Sequence, residues 1–243
     1  MKIKKLVVMI LVVAFVFFTY FFLKDNKLNY VALGDSIACG ITPYGEDGYS
    51  YTDYIKEYLE SNEKLNSYVN YAVSGYKTDN IIDDISKNKA IDNSNIRESL
   101  RESDLVTISI GANNLISKID YRNLDLSNID SYLKTIDGVI VDIDNTLKEV
   151  RNYAKNDIIV IGYYNPFPIL YNTNKEQVDM VFNYLDKRYK DVCENQDIKY
   201  LSVYSLFRNN SDFLPNPFDI HPNIDGYKGI GKLIVDNYFT NLD

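Results

Sequence analysis

The chain has 243 residues, 46% of them hydrophobic and 25% charged, enough to bury a substantial core in one large domain or two small ones. Its net charge of −8 is unevenly spread: five lysines against Asp25 give residues 1–27 a net of +4, which leaves −12 on the remainder. A body that acidic repels phosphate backbones and offers no basic stripe to offset the repulsion, so nucleic acid is excluded as an expected partner. The 22 tyrosines, with no tryptophan, follow a general bias toward Asn, Asp, Ile, Lys and Tyr, and read as scattered half-buried rings rather than a binding face. Two cysteines, Cys39 and Cys193, make neither a disulfide framework nor a C-x-x-C metal pair, and nothing in the sequence demands a bond between them.

Residues 6–23 run from Leu6 to Leu23 without a charge. As a helix, 18 residues at 1.5 Å each cover about 27 Å, close to the hydrocarbon thickness of a bilayer. Three lysines precede the run, and Lys24, Asp25 and Lys27 follow it with a net of only +1. The positive-inside rule then puts the N-terminus in the cytoplasm and the body outside. The run is longer than the apolar core of a signal peptide and ends Tyr-Phe-Phe-Leu-Lys-Asp-Asn-Lys, without the small residues of a cleavage site. An uncleaved single-pass anchor over residues 1–27 is therefore expected, with secretion after signal cleavage as the alternative.

From Leu28 onward strands and helices alternate. Apolar runs predict strands at Tyr30–Leu33, Tyr68–Ala72, Leu105–Ile110, Ile158–Ile161 and Ile198–Val203. Helical spacing covers Tyr51–Glu60, Thr78–Lys87, Asn128–Lys155, Lys175–Glu194 and Ile224–Leu242. Five strand–helix units, with strands mostly continuously apolar, imply a five-stranded parallel sheet covered by helices on both faces. Residues 28–243 read as one domain.

In open parallel sheets, sites form at the carboxyl ends of the strands. Those ends carry Gly34-Asp35-Ser36, Val73-Ser74-Gly75, Gly111-Ala112-Asn113-Asn114 and Gly162-Tyr163-Tyr164-Asn165-Pro166. Gly-Asp-Ser alone is a common turn tripeptide. Its place between an apolar strand and a helix would present the Ser36 hydroxyl at the sheet edge, with nearby amides free to receive an oxyanion. A serine nucleophile needs a base, and His221, the sole histidine, is the one imidazole available. It lies in Asn216-Pro217-Phe218-Asp219-Ile220-His221-Pro222-Asn223, with Asp219 near enough in sequence to orient the ring. Gly75 N–H and the Asn113 side chain are candidate oxyanion donors. Against these stand plain readings: a surface histidine, a turn glycine and a helix N-cap asparagine. The α/β-hydrolase elbow G-x-S-x-G is absent around Ser36, and no G-x-G-x-x-G dinucleotide loop follows the first strand.

The four motifs together resemble those of the SGNH/GDSL hydrolase superfamily: Ser in Gly34-Asp35-Ser36, Gly75 after Asn70-Tyr71-Ala72-Val73-Ser74, Asn113 in Gly111-Ala112-Asn113-Asn114, and His221 in Asp219-Ile220-His221. The resemblance implies a three-layer α/β/α, flavodoxin-like fold and a site without metal or other cofactor. It implies Ser36 as nucleophile, His221 as base and then acid, and an oxyanion hole made by Ser36 N–H, Gly75 N–H and Asn113 Nδ2. Two positions depart from the pattern. The family's acid usually lies three residues before the histidine, where this chain has Phe218, so either Asp219 or a backbone carbonyl orients the ring. Gly-x-Asn-Asp is Gly-Ala-Asn-Asn here, which removes the charge at Asn114.

The expected function is a membrane-tethered, extracytoplasmic esterase or lipase acting on small-molecule, lipid or glycan acyl esters. Its alternatives are an O-acetyl esterase of cell-envelope glycans at the same site, and a catalytically silent tethered binding domain. The loops Gly40–Ser50 and Pro166–Asn174 are expected to supply a lid and an acyl pocket.

Overall fold

The computed structural model describes residues 27–119, 128–166 and 174–239. The apolar run at 6–23 lies outside them, and among the described residues no helix is long and apolar enough to cross a membrane. The described residues form seven strands, β1 (Leu28–Gly34), β2 (Leu65–Asn70), β3 (Ala90–Ile91), β4 (Ser94–Asn95), β5 (Leu105–Ser109), β6 (Asp157–Ile161) and β7 (Lys199–Leu201). The helices are α1 (Ser36–Cys39), α2 (Tyr51–Ser61), α3 (Thr78–Ser86), α4 (Ile96–Glu102), α5 (Ala112–Ile116), α6 (Ile129–Tyr153), α7 (Lys175–Glu194), α8 (Tyr204–Arg208) and α9 (Ile224–Tyr238).

Five strands form one parallel sheet in the order β2-β1-β5-β6-β7, flanked by helices as the sequence implies. The two-residue period of a strand divides its side chains between two cores. Val31, Leu33, Val106, Ile108, Ile158 and Val160 face a cluster that includes residues of α3, α4, α6 and α7. Tyr30, Ala32, Leu105, Ile159 and Ile161 face the opposite cluster, with residues of α2, α8 and α9. Both faces of the central strands are buried, which is why β5 reads as a continuous apolar run; each fully buried Ile or Leu contributes roughly 1.5–3 kcal/mol. The two polar residues of β5 are both satisfied: Thr107 shares a hydrogen bond with the Tyr30 hydroxyl at 2.8 Å, and the Ser109 hydroxyl donates to Asp35 at 3.2 Å.

The strand expected at Tyr68–Ala72 is instead Leu65–Asn70. β2 is a sheet edge, and its first half, Leu65-Asn66-Ser67, is half-buried or exposed, so the rule of continuous apolarity did not apply there. The β3–β4 hairpin and α4 fill a stretch the periodicity left unassigned. α4 buries only Ile96 and Leu100, one i,i+4 pair, too little to stand out as a pattern. The last strand is shorter than Ile198–Val203, pairing at Lys199–Leu201 only. Cys39 and Cys193 are free thiols.

The sheet order places β1 between β2 and β5, so the turns after those two strands flank the turn after β1. Gly34 ends β1 at φ +142°, and a Cβ there would lie 2.3 Å from the Ser109 carbonyl oxygen. Only glycine lets the chain leave the sheet so close to its neighbour strand.

Candidate active site

Ser36 is the first residue of α1 and is buried. Asp35 caps that helix: its Oδ1 accepts from Ile37 N–H at 3.1 Å and from the Ser109 hydroxyl at 3.2 Å, while its own N–H donates to the Ser109 carbonyl at 2.9 Å. These bonds fix the turn that carries the serine. Full burial pushes the Asp35 carboxyl up to about 7, against the lowering effect of the Ile37 and Ser109 hydrogen bonds. The Ser36 N–H lies in the first helical turn, where amides have no intrahelical acceptor.

His221 Nε2 lies 2.8 Å from Ser36 Oγ, and Nδ1 lies 2.6 Å from Asp219 Oδ1. The same Oδ1 accepts from the His221 backbone N–H at 2.8 Å, so acid and ring are locked within one tight loop. Phe218, at the position where the resemblance leads one to look for an acid, is 95% exposed. A ring held by a carboxylate on Nδ1 presents Nε2 as a proton acceptor toward the serine hydroxyl.

The histidine loop is pinned from several sides. Asn223 caps α9 by accepting from Gly226 N–H, donates its backbone N–H to the Phe213 carbonyl and donates its side-chain amide to the Asp212 carbonyl. Asn216 Nδ2 donates to the Pro43 carbonyl at 2.7 Å. The Tyr164 hydroxyl donates to the Ile220 carbonyl at 2.7 Å, and its ring stacks on Phe207 with centroids 4.0 Å apart. Tyr164 was not singled out for this role from sequence. The visible signal was its place at the carboxyl end of the fourth sheet strand.

Asn113 is not the N-cap of α5; Gly111 takes that position at φ +101°, where a Cβ would strike the Tyr163 hydroxyl at 2.3 Å. Asn113 Nδ2 donates to the Tyr76 carbonyl at 2.9 Å, which leaves its second amide hydrogen for another acceptor. Tyr76 directly follows Gly75, so this bond joins the turns that carry the two remaining donor candidates. Asn113 and Ser36 line the same cavity. Gly75 is outside that lining; its turn lies beside α1, where the Ser74 backbone meets Cys39. Asn114 is buried and structural: Oδ1 accepts from Thr78 N–H at 3.1 Å, and Nδ2 donates to the Thr78 hydroxyl at 2.8 Å, tying this turn to α3. A charge at Asn114 would be surplus to that role.

From Ser36 the cavity runs between helices. It gives about 180 Å³ of room to the centre of a water-sized sphere. α7 supplies Val178, Val181, Phe182 and Leu185; α6 supplies Tyr132 and Ile136; the α5 region supplies Leu115, Ile116 and Ile119. Ile161 and Tyr163 come from the end of β6 and the turn after it, and Ile220 from the histidine loop. Of the two loops expected to build the pocket, Gly40–Ser50 contributes nothing to this lining and Pro166 of the second does, while residues 167–173 lie outside the described residues.

Fold and geometry thus define a parallel α/β protein with a Ser–His–Asp hydrogen-bond chain at the carboxyl edge of its sheet. The chain belongs to the GDSL-like lipase/acylhydrolase family, whose model matches residues 32–228, and it is a carboxylic ester hydrolase. No curated protein sequence matches it. Its fold is similar to that of a lipase from a goat rumen metagenome, at 20% identity and TM-score 0.71, covering 89% of this chain and 100% of that one. It is similar to an acetylxylan esterase from Geobacillus stearothermophilus at 17% identity and TM-score 0.62, covering 88% and 95%. It is also similar to an extracellular lipase from Streptomyces rimosus at 16% identity and TM-score 0.63, covering 85% and 98%.

Proposed function

We propose that the protein hydrolyses acyl esters with chains longer than acetyl, through Ser36, His221 and Asp219. The observation that carries this reading is the apolar cavity opening directly onto Ser36. An acetyl group needs almost none of that space, whereas a longer acyl chain would displace water from apolar walls, at about 0.8 kcal/mol per buried methylene. Ser36 Oγ attacks the ester carbonyl carbon as His221 Nε2 takes its proton. The tetrahedral oxyanion receives Ser36 N–H, Gly75 N–H and the free Asn113 amide hydrogen, each such donor contributing about 2.7–4 kcal/mol. The imidazolium, steadied by Asp219, returns the proton to the leaving alcohol. A water molecule then repeats the sequence on the acyl-enzyme and releases the acid.

The Geobacillus esterase includes catalytic mutants at a serine, an aspartate and a histidine, the last two three positions apart. Here Asp219 and His221 are two apart, and the 2.6 Å contact supports the shorter spacing as sufficient. The charge pattern around residues 6–23 supports a single-pass anchor, with the domain from residue 28 onward outside the cytoplasm.

A series of p-nitrophenyl esters from acetate to decanoate tests the reading, with Ser36→Ala as the control. A rise in kcat/KM with chain length is expected. A sharp maximum at acetate would overturn it in favour of an O-acetyl esterase of envelope glycans.

A further inference from the structure

The catalytic mouth and the start of the domain lie at opposite edges of the sheet. All five strands are parallel, so the turns carrying Ser36 and Asn113 share the carboxyl edge. The chain comes in at the other edge, where Leu28 N–H donates to the Lys64 carbonyl and Leu28 pairs with Leu65. β1 has seven residues, which at about 3.3 Å each separate the two edges by roughly 20 Å. The apolar run ends at Leu23, so only Lys24–Lys27 joins it to β1. Four residues, fully extended, reach about 14 Å at most. That reach is shorter than β1 itself, so the chain cannot double back along the strand to set the carboxyl edge against the membrane.

The edge at which β1 begins carries a polar depression lined by Lys155, Asp157, Glu194, Asp197 and Lys199. Among the described residues the exposed aromatics occur at the far edge: Phe218 is 95% and Tyr44 75% exposed, on two loops joined by the Asn216–Pro43 bond.

We propose that the anchored protein holds its catalytic mouth away from its own bilayer and takes acyl esters presented from the aqueous side, not lipids of the membrane that carries it. The inference rests on the anchor and on the hydrolase reading above. Tyr44 and Phe218 would then meet the incoming amphiphile before its chain enters the cavity.

Reconstitution of the full chain in vesicles, with fluorophosphonate probes, tests this. In the labelling step Ser36 Oγ bonds to phosphorus, fluoride leaves and His221 takes the proton. Three probes are compared: one dissolved, one attached to a lipid of the same vesicle by a short spacer, and one by a poly(ethylene glycol) spacer longer than the domain is tall. The dissolved and long-spacer probes are expected to label Ser36, and the short-spacer probe at least tenfold more slowly. Insertion of a flexible Gly/Ser segment of about twenty residues between Lys27 and Leu28, with a root-mean-square reach of roughly 25 Å, should restore short-spacer labelling at least tenfold. Dissolved-probe labelling should stay unchanged. Equal short-spacer labelling with and without the insertion, or a membrane-recovered chain lacking residues 1–27, would overturn the proposal. Failure of the dissolved probe would instead sink the hydrolase reading.

Discussion

Two regions meet at Ser36, and they are built on different plans. One is polar and local: Asp35 and Ser36 lie in a single turn, and Asp219 and His221 in a single loop, each held by short hydrogen bonds. The other is apolar and distributed, its walls drawn from the faces of α5, α6 and α7. Under the proposed mechanism the contrast separates reaction from selection. Changes in the first region should act on all esters alike, and changes in the second should act according to chain length.

The largest expected effect is that of Ser36→Ala, which should lower kcat by about 10⁴-fold or more for every ester, measured as initial rates on p-nitrophenyl substrates. Asp219→Asn should cost up to about 10⁴-fold with KM little changed, because the amide favours the wrong ring tautomer. Phe218→Ala, its neighbour, should leave kcat on dissolved acetate within about twofold, since that side chain points into solvent. The comparison breaks if these two outcomes are exchanged. Val181→Trp narrows the cavity and should lower kcat/KM for octanoate by about 10–200-fold while acetate changes little. A uniform loss would mean that the two regions are not separable.

Tyr164→Phe probes the seam between them, because it keeps the ring stack on Phe207 and removes only the hydroxyl bond to Ile220. A loss of about 0.5–1.5 kcal/mol, or two- to tenfold in kcat, is expected for all chain lengths. Asp35→Asn gives the smallest kinetic effect and a clear signature in stability. The buried carboxyl titrates near 7 in the fold and near 4 when unfolded, so the protonated form is the one the fold favours. Its contribution is complete below pH about 4 and is lost as pH rises through about 7, at up to about 1.4 kcal/mol per pH unit. Urea titrations across that window should show this slope in the original chain and its absence in Asp35→Asn, whose amide oxygen can still accept from Ile37 and Ser109.

The polar region was largely legible in the sequence, because its residue types are scarce and its spacing is short. One histidine could serve Ser36, and Asp219 was two residues from it. The spacing could not choose between Asp219 and a backbone carbonyl, whereas in the structure His221 Nδ1 lies 2.6 Å from Asp219 Oδ1. The cavity was not legible. Val178, Val181, Phe182 and Leu185 have the same i, i+3, i+4, i+7 spacing as any helix face turned to a core, and sequence does not tell a filled core from a hollow one. The sheet was readable where both faces are covered, and misplaced at its edge strand, where alternation and exposure weaken the apolar signal.

Ser36 and His221 are 185 positions apart, one beside the first strand and the other just before the last helix. The Tyr227 hydroxyl's bond to the Ile41 carbonyl spans a similar 186 positions, and contacts of such separation carry the loop-closure cost that slows folding. Esterase activity recovered during refolding should therefore trail the return of helical signal, which makes hydrolysis a stopwatch for closure of the whole topology.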